Sequence, residues 1–339
     1  MFYRIHKLYT NILHRIMGDW NYFLYDERQH EKKIIHYHYK KQTGEKPLGT
    51  KTVIFLANGF CNHAGLCDRL KGITTLYEWC KESHLNFCIS HTHPFNLGDY
   101  LIPNLYDWYI DEKDICYNKE YTSVNHLMLN NLVRNLINSG RVVFLQKKWF
   151  INRVNTRKNQ LHFYTNMIPE SNLQFSTCFQ ELFKPSPRLE KKINFHLKAI
   201  GGHFISISFR FVQLLGDFID CDGITLSEEE QENIINKSIK AIKEIKKENS
   251  HISKIFVTSD STKFIERVKI LPYVYVVEGK IGHINFEYSD DVNMKTFIDF
   301  LMVSNAQKVY LAKSDLMYNS DFSRYAAMIH NVPFKIHYY

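Results

Sequence analysis

One arginine stands at the end of an apolar, β-branched run of the sequence. Residues 204–211 read FISISFRF, and Arg210 carries the charge. Burying a guanidinium at a strand end costs free energy unless an anion pairs with it. A diphosphate suits that role, because a guanidinium binds phosphate oxygens in a bidentate geometry. The other interpretation is a structural ion pair with Asp217 or another acid.

Polar residues also follow two later runs that read as strands. Asp260 and Ser261 come directly after IFVTS, where they can accept hydrogen bonds from a ribose or base edge or cap the next helix. Ser320 and Ser323 flank Phe322 at the start of a predicted helix, whose backbone N–H groups and dipole favour phosphate. Capping alone is the alternative for these serines as well.

A glycine-containing loop and helix start, residues 58–72, follow the first predicted strand. They offer an amide, an imidazole, a flexible backbone position, a carboxylate and a guanidinium, on Asn62, His63, Gly65, Asp68 and Arg69. The amino end of a helix is suited to an oxyanion or a polar ligand. Spacing alone equally favours an ordinary turn with an Asp68–Arg69 pair on the surface.

Metal and other catalytic motifs receive little support. The pairs His36/His38 and His91/His93 lack a second pair at zinc spacing, and Asp220-Cys221-Asp222 reads as a turn before a capped helix. The sequence has no P-loop, GxSxG, HExxH or GxGxxG. We therefore expect no metal and no resident cofactor.

The elements that must position these residues alternate between strand and helix. In the first half we predict strands at 52–57, 86–90 and 141–145 and helices at 66–80 and 127–136. In the second half we predict strands at 204–211, 254–258, 273–277, 308–312 and 333–337 and helices at 227–247, 261–268, 294–303 and 321–329, the first opened by a Ser227/Glu230 capping box. This rhythm predicts an α/β fold of two Rossmann-like doubly wound domains facing a central cleft, with ligands at the carboxyl ends of the strands.

The segment Lys184–Arg188 contains two prolines, which disfavour regular helix and central strand, so we predict the domain boundary there. Residues 1–187 and 188–339 would then form the two domains. The first twenty residues read as a basic amphipathic helix, which either packs on the fold or lies on a membrane surface.

Composition excludes several classes of protein. The chain has 339 residues, 45% of them hydrophobic, and a net charge of +8, from 43 Lys+Arg and 35 Asp+Glu. That apolar content excludes a largely disordered chain, and the basic residues form no block that would bind nucleic acid. Seven cysteines without a CxxC pair, no spanning segment and no secretory signal favour a cytoplasmic protein, with the inner membrane face as an alternative place.

Four segments together resemble the GDP-fucose fucosyltransferase superfamily, which includes bacterial α-1,2- and α-1,6-fucosyltransferases and protein O-fucosyltransferases. The resemblance spans residues 52–337. The matching segments are Gly65–Leu70 for G-L-G-N/D-Q/R-L (with Asn62 as another register for the Asn), Ser206–Arg210 for V-x-H-x-R, Phe256–Ser261 for the strand ending in T-D-D/S, and Ser320–Ala327 for S-x-F-S-x-x-A-A. The departures are Ser208, Phe211 and Gln213, which replace the His, second Arg and Asp of H-x-R-R-x-D.

The resemblance implies a GT-B enzyme that moves fucose from GDP-fucose to a glycan hydroxyl with inversion and without a metal. It makes residues 1–187 the acceptor-side domain and residues 188–339 the nucleotide-sugar domain. It makes Arg210 the ligand of the diphosphate and implies donor contacts from Asn62, Gly65, Arg69, Asp260, Ser261, Ser320, Phe322 and Ser323. Asp68 and His63 are the candidate bases. The implied partners are a nucleotide sugar and an oligosaccharide or glycolipid acceptor, in bacterial surface polysaccharide synthesis. The alternatives are another nucleotide sugar and a non-catalytic binding protein.

Overall fold

The computed structural model describes residues 19–41, 44–47, 49–129, 139–218, 224–282 and 289–339. These residues divide into two compact units. The first unit takes in the described residues up to Ala64, together with Asp68–His93 and Leu105–Cys178, and the second takes in Gly65–Cys67, Pro94–Asn104 and Phe179–Tyr339. Residues 1–18, on which the predicted amphipathic helix and its membrane role depend, lie outside the described residues, as does Asp220-Cys221-Asp222.

The helices and strands have the following bounds. The α-helices are α1 (Asp19–His38), α2 (Leu66–Glu82), α3 (Ser139–Val154), α4 (Asn172–Leu182), α5 (Pro187–Ile200), α6 (Glu228–Glu248), α7 (Thr262–Val268), α8 (Asp290–Ser304) and α9 (Phe322–Ile329). The strands are β1 (Thr52–Ala57), β2 (Asn86–His91), β3 (Leu101–Pro103), β4 (Thr122–Leu127), β5 (Gln160–Thr165), β6 (Phe183–Pro185), β7 (Phe204–Phe209), β8 (Lys254–Ser259), β9 (Val274–Tyr275), β10 (Val309–Lys313) and β11 (Phe334–Tyr338). None of the described helices is both long and apolar enough to cross a membrane.

The first unit is built on a four-stranded parallel sheet in the order β2-β1-β5-β4. Both of its central strands are almost wholly buried, as expected for a parallel sheet covered on two faces. The chain runs outward from β1 to β2 and returns on the other side through β4 and β5. The point where the order reverses therefore lies beside the carboxyl end of β1, where a ligand site is expected.

The second unit is built on a five-stranded parallel sheet in the order β11-β10-β7-β8-β9. Strand β7 is the middle strand, with β8 and β9 on one side and β10 and β11 on the other. Its apolar residues pack with those of α6 and α7 in one buried cluster that includes Ile207, Phe209, Ile235 and Phe264. The strand order reverses between β7 and β10, so the loops that follow these two strands border the expected ligand site.

Local signals account for the start of several helices. The Ser227 hydroxyl accepts from the Glu230 N–H and the Glu230 carboxylate accepts from the Ser227 N–H, so the predicted capping box at the start of α6 is confirmed. Ser289 caps α8 with one hydrogen bond, which its hydroxyl accepts from the Val292 N–H. These caps supply partners for backbone N–H groups that a helix leaves unpaired at its first turn.

In the first half, the predicted strand at 141–145 is wrong, and so is the start of the predicted helix at 127–136. Residues 141–145 belong to helix α3, in which Val142, Gln146, Trp149 and Phe150 are buried at helical spacing. The β-branched run Val142–Val143 outweighed this longer period in the prediction. Leu127, predicted to begin a helix, ends strand β4, and residues 130–138 lie outside the described residues. Strands β4 and β5 and helices α4 and α5 were not predicted.

The proline-containing segment is regular after all. Pro185 ends the short strand β6, which pairs antiparallel with β3, an arrangement that leaves proline at an edge. Pro187 is the first residue of α5, where a missing N–H costs nothing, and Ser186 caps that helix. The assignment of acceptor and donor roles to residues 1–187 and 188–339 stays a prediction.

Candidate functional site

Arg210 follows the last residue of β7, at the carboxyl edge of the second sheet. Its backbone carbonyl accepts a hydrogen bond from the Tyr318 N–H at 3.3 Å, which links the ends of β7 and β10. The sequence predicted a charged residue at a strand end. The sheet order adds that this strand end is the one beside the reversal of strand order.

The Arg210 side chain is held on two sides and open on a third. Its Nη1 lies 3.3 Å from Asp260 Oδ2, and the guanidinium carbon lies 4.6 Å from the centroid of the Phe218 ring. The side chain keeps 21% of its surface exposed, whereas that of Asp260 keeps 4%. The partner left open in the sequence is thus Asp260. A cation fixed by an ion pair and an aromatic face, with part of its surface exposed to solvent, can receive an anion without reorganising.

Asp260 holds the turn that carries Arg210. Its Oδ1 accepts from the Phe211 N–H at 2.9 Å and its Oδ2 accepts from the Val212 N–H at 2.7 Å. Val212 has a φ of 57°, a left-handed conformation that a β-branched residue adopts only under strain. Burial raises the pKa of Asp260, and Arg210 together with the two N–H groups opposes that shift. Both carboxylate oxygens are used within the chain, and contact with a ribose or base stays a prediction.

Ser261 caps the helix that follows. Its hydroxyl accepts from the Phe264 N–H at 3.1 Å and donates to Asp217 Oδ2 at 2.9 Å. Asp217 also accepts from the Lys263 N–H at 2.7 Å. The capping alternative for Ser261 is therefore confirmed, and a donor contact from it stays a prediction.

The start of α9 presents one accessible and one enclosed hydroxyl. Ser320 is partly buried, and its Oγ accepts from the Phe322 N–H at 3.2 Å. The Phe322 ring packs 5.3 Å from Phe300, centroid to centroid. Ser323 is 0% exposed, and among the described residues its Oγ has no hydrogen-bond partner. Leaving a hydroxyl unpaired in the interior costs free energy, so Ser323 is poorly explained as a core residue.

The loop after β1 turns sharply between Asn62 and Gly65. Asn62 Oδ1 accepts from the Ala64 N–H at 2.8 Å, and Ala64 has a φ of 58°. A Cβ at Gly65 would meet no atom of the described residues within 4 Å, whereas one at Gly72 would lie 2.2 Å from the carbonyl oxygen of Thr165. The glycine that packing requires is therefore Gly72, and Gly65 borders open space.

Asp68 and Arg69 do not form the surface pair offered as one alternative. Asp68 Oδ1 lies 2.6 Å from Nζ of Lys71, a lysine whose side chain is 1% exposed. Arg69 is 3% exposed, with Nη1 placed 3.2 Å from His91 Nε2 and 3.3 Å from the carbonyl oxygen of His93. The helical step of 100° per residue turns the two side chains in different directions, so each finds its own partner.

His63, one of the two candidate bases, is 1% exposed. Its Nδ1 lies 3.2 Å from the carbonyl oxygen of Cys61, and among the described residues its Nε2 has no hydrogen-bond partner. Burial, with Arg69 and His91 nearby, holds the pKa of His63 well below its usual value. The ring is therefore neutral at physiological pH, and its enclosure keeps an acceptor hydroxyl from reaching it in this conformation.

Sequence reasoning missed a thiol, an imidazole and a carboxylate that meet in the first unit. Cys61 Sγ lies 3.4 Å from His126 Nε2, and His126 Nδ1 lies 2.8 Å from Glu27 Oε2. These residues come from the loop after β1, from β4 and from α1. The first two are 65 residues apart in sequence, so no local motif marks them.

A second missed set is a buried polar chain beside β1 and β5. Tyr164 receives a hydrogen bond from Asn58 at 3.2 Å and lies 3.1 Å from His38 Nδ1. His38 Nε2 lies 2.9 Å from His162 Nδ1, and His162 Nε2 lies 3.1 Å from Gln160 Oε1. One pair of neutral tautomers, each protonated at Nε2, satisfies every contact. Within the described ranges, no cluster of three or more His, Cys, Asp or Glu could hold a metal ion.

Solved structures similar to this chain include fucosyltransferases. The α-1,6-fucosyltransferase NodZ, soaked with GDP-fucose, superimposes with a TM-score of 0.50 at 13% identity, over 83% of this chain and 93% of the other. Arabidopsis thaliana FUT1, a mutant in complex with GDP, gives a TM-score of 0.54 at 13% identity, over 97% of this chain and 77% of the other. POFUT1 in complex with GDP gives 0.50 at 11% identity, over 87% and 99%.

The chain has the fold of these fucosyltransferases. No protein-family model and no curated protein sequence matches it. At such low identity the similarity establishes the fold and leaves the activity to be argued from the site. The predicted resemblance is confirmed at the level of fold, and so is the α/β class with parallel sheets.

Proposed function

We propose that this protein is a fucosyltransferase that uses GDP-fucose and binds the diphosphate of the donor through Arg210. The similar structures support a nucleotide-sugar partner, because they were obtained with GDP or GDP-fucose. The observation that carries the proposal is the placement of Arg210. A fixed, partly exposed guanidinium stands at the reversal of strand order in a parallel sheet.

The chemistry follows from where charge develops. As the acceptor hydroxyl attacks the anomeric carbon, the bond to the diphosphate breaks and negative charge grows on the leaving GDP. Arg210 and the amino end of α9 after Ser320 would stabilise that charge, without a metal. Because the ion pair with Asp260 already fixes the guanidinium, little ordering remains to be done when the donor arrives. We propose that transfer proceeds with inversion.

The departures from the family motif have structural counterparts. Ser208, in place of the His, is 6% exposed and accepts a hydrogen bond from Thr258 at 2.8 Å. Phe211, in place of the second Arg, is 0% exposed and stacks 6.1 Å from Phe209. Both positions serve the core of the second unit. Arg210 then carries more of the diphosphate binding than it would beside a second arginine.

The base for the acceptor hydroxyl is proposed to come from the first unit. Asp68 keeps about a quarter of its side chain exposed and is paired with Lys71. His63 is enclosed, as described above. We therefore favour Asp68 over His63. The acceptor is proposed to be an oligosaccharide or glycolipid, and the setting bacterial surface polysaccharide synthesis at the inner face of the membrane.

Two other functions remain candidates because of Ser208 and Phe211. One is transfer of a different sugar from another nucleotide donor. The other is binding of a nucleotide or glycan without turnover. Both alternatives use the same Arg210 site as the proposed function. A panel of nucleotide sugars distinguishes the first alternative from fucose transfer, and a panel of acceptors distinguishes the second.

The test is release of GDP from GDP-fucose, followed with and without a panel of oligosaccharide and glycolipid acceptors, with UDP-, ADP- and other GDP-sugars as controls. Acceptor-dependent release from GDP-fucose is the expected result. Turnover of a different nucleotide sugar would select the first alternative, and GDP binding without turnover on any acceptor would select the second. The absence of binding by every GDP-sugar would refute the proposal.

A further inference from the structure

The thiol of Cys61 belongs to a three-residue arrangement of a kind that activates nucleophiles. Its Sγ lies 3.4 Å from His126 Nε2 and 3.6 Å from the carbonyl oxygen of Asn62, and both atoms can accept the thiol proton. The other ring nitrogen, Nδ1, lies 2.8 Å from Glu27 Oε2, though at an angle that does not make a formal hydrogen bond. A nucleophile, a base and a carboxylate behind the base are thus placed in series.

The carboxylate and the imidazole are fixed by their surroundings. Glu27 is 7% exposed, and its Oε2 accepts from the Met128 N–H at 2.8 Å. His126 is 5% exposed, and its backbone N–H donates to Glu31 Oε1 at 3.2 Å. Glu31 is in turn bound by Arg153 at 3.1 Å. Because Glu27 and the His126 backbone are both held in place, the His126 ring keeps Nε2 directed at the thiol.

Cys61 is partly exposed, and its two partners border a cavity. Cys61 is half-buried, in contrast to Cys67, Cys80, Cys116 and Cys178, which are fully buried. A cavity of about 910 Å³ opens between α1 and α3, and its lining includes Glu27, His126 and Trp149. The base and its carboxylate therefore face a space large enough for a small organic reagent.

We propose that Cys61, with His126 as its base and Glu27 as the positioning carboxylate, is a reactive thiol that exchanges with low-molecular-weight disulfides. The Cys61 sulfur attacks one sulfur of the disulfide while its proton passes to His126 Nε2. A new S–S bond forms, the S–S bond of the reagent breaks, and the departing thiolate takes the proton from the imidazolium. The products are a mixed disulfide at Cys61 and a free thiol, with no other oxidant consumed.

The proton transfer must accompany the attack. Burial raises the pKa of the Cys61 thiol to about 12, so the resting group keeps its proton at neutral pH. A thiol of this kind reacts slowly unless a base removes the proton during the reaction. Among the described residues, the titratable and charged groups near the pair are Glu27, His30, Glu31, His63, Arg69, Arg153 and Tyr164. Tyr25, Arg28, Lys32 and Lys148 also line the cavity that Glu27 and His126 face.

The site bears on the proposed transfer reaction through its position. Cys61 lies in the loop after β1 next to Asn62, a predicted donor contact, so a group attached there would obstruct that contact. This consequence rests on the proposed function, whereas the thiol chemistry does not. An exchange assay that uses no sugar nucleotide therefore fails or succeeds independently of the transferase proposal.

The experiment is exchange of the full-length protein with dithiodipyridine, followed by the thiopyridone released, with the modified cysteine assigned by peptide mass mapping. Cys88 is the internal control, because it is also half-buried, burial raises its pKa to about 11, and no histidine nitrogen pairs with it in the described part of the chain. We expect Cys61 to react about 100-fold faster than Cys88 at neutral pH. Equal rates at Cys61 and Cys88 in the wild-type protein would overturn the proposal.

Variants assign the roles of the other two residues. His126→Gln should slow exchange at Cys61 to about the rate of Cys88, and Glu27→Gln should slow it less, with the Cys88 rate unchanged in both. Fast reaction of the buried Cys80 and Cys178 would show that a variant is unfolded. In that case the pH dependence of the Cys61 exchange rate in the wild-type protein tests the proposal. A Cys61 rate that levels off well below the pKa of the thiol supports the proposal. A rate that rises tenfold per pH unit up to that pKa contradicts it.

Discussion

Arg210 Nη1 lies 3.3 Å from Asp260 Oδ2, and the same carboxylate accepts the backbone N–H groups of Phe211 and Val212. One buried acid therefore fixes both the guanidinium and the backbone turn from which it projects. The Asp260 carboxylate stabilises a strained turn and also orients the cation proposed to bind the donor diphosphate. Removing this carboxylate should therefore lower both the free energy of unfolding and the affinity for GDP, and the two effects can be measured separately.

Asp260→Asn should weaken GDP binding even though Arg210 is still present. The amide turns an N–H toward one of the backbone donors and removes the charge opposite Arg210, so we expect a loss of stability of about 2–4 kcal/mol. Ser227→Ala is the matched control, because loss of that cap costs about 1 kcal/mol without touching the site. Chemical denaturation and GDP titration measure both effects. Unchanged GDP affinity in folded Asp260→Asn would remove its positioning role.

Ser323→Ala should shift stability and binding in opposite directions. The buried hydroxyl has no partner among the described residues, so its removal should raise the free energy of unfolding by about 1 kcal/mol. If the hydroxyl meets a phosphate once the donor is bound, GDP affinity should fall several-fold. Denaturant unfolding and GDP titration on the same preparation check this. A stabilised variant with wild-type affinity would take Ser323 out of the donor site.

The buried histidines predict loss of stability in mild acid. Burial lowers the pKa of His38 from 6.5 to about 4, and the pKa values of His63 and His162 also lie well below 6.5. Between these values the unfolded chain binds more protons than the folded one, so stability is present above pH 6.5 and is lost as the pH falls toward 4. His38 alone accounts for about 3 kcal/mol of that loss.

His38→Gln should flatten this pH dependence, because glutamine can accept from Tyr164 and donate to His162 without titrating. His36→Gln is the control, since His36 is exposed. Urea unfolding at a series of pH values between 4 and 7 measures the slope. Equal slopes in the wild-type protein and His38→Gln would show that His38 is not kept neutral.

Gly72→Ala should destabilise the protein although alanine favours helix. Its Cβ would lie 2.2 Å from the Thr165 carbonyl oxygen, so α2 must move away from the end of β5, at a cost of about 2 kcal/mol. Gly65→Ala is the matched control, because its Cβ would meet nothing within 4 Å in the part of the chain that the structure describes. The stability of this variant should stay within about 0.5 kcal/mol of wild type. Thermal and urea unfolding distinguish them. Equal stabilities would show that this contact relaxes freely.

The sequence predicted those features whose cause is local. The apolar run of β7, the Ser227/Glu230 capping box and the polar residues after strands all depend on neighbours in sequence, and the structure has them. Helix α3 was missed because a short β-branched run hid its helical period. Antiparallel pairing of β3 with β6 needs contacts across 80 residues, which no window contains.

In the candidate site, too, residues marked by their local sequence could be predicted, whereas pairings between distant residues could not. Arg210 was predicted as a site residue because a charge among aromatics at a strand end is conspicuous in sequence. Asp260 was also predicted as a site residue, but its pairing with Arg210 depends on β7 and β8 being neighbours. The Cys61–His126–Glu27 arrangement could not be found, because the parallel sheet brings together residues that sequence distance separates. Such pairings of buried residues become visible only when the order of the strands and helices in space is known.

The most direct test of the proposed donor site is calorimetric titration of GDP into the wild-type protein, Arg210→Lys and Arg210→Ala, with circular dichroism to show that each is folded. We predict that GDP binds the wild-type protein, that Arg210→Ala weakens binding by about 10- to 100-fold, and that Arg210→Lys lies between them, since it keeps the charge without the bidentate geometry. Equal GDP affinity in the wild-type protein and folded Arg210→Ala would contradict the account.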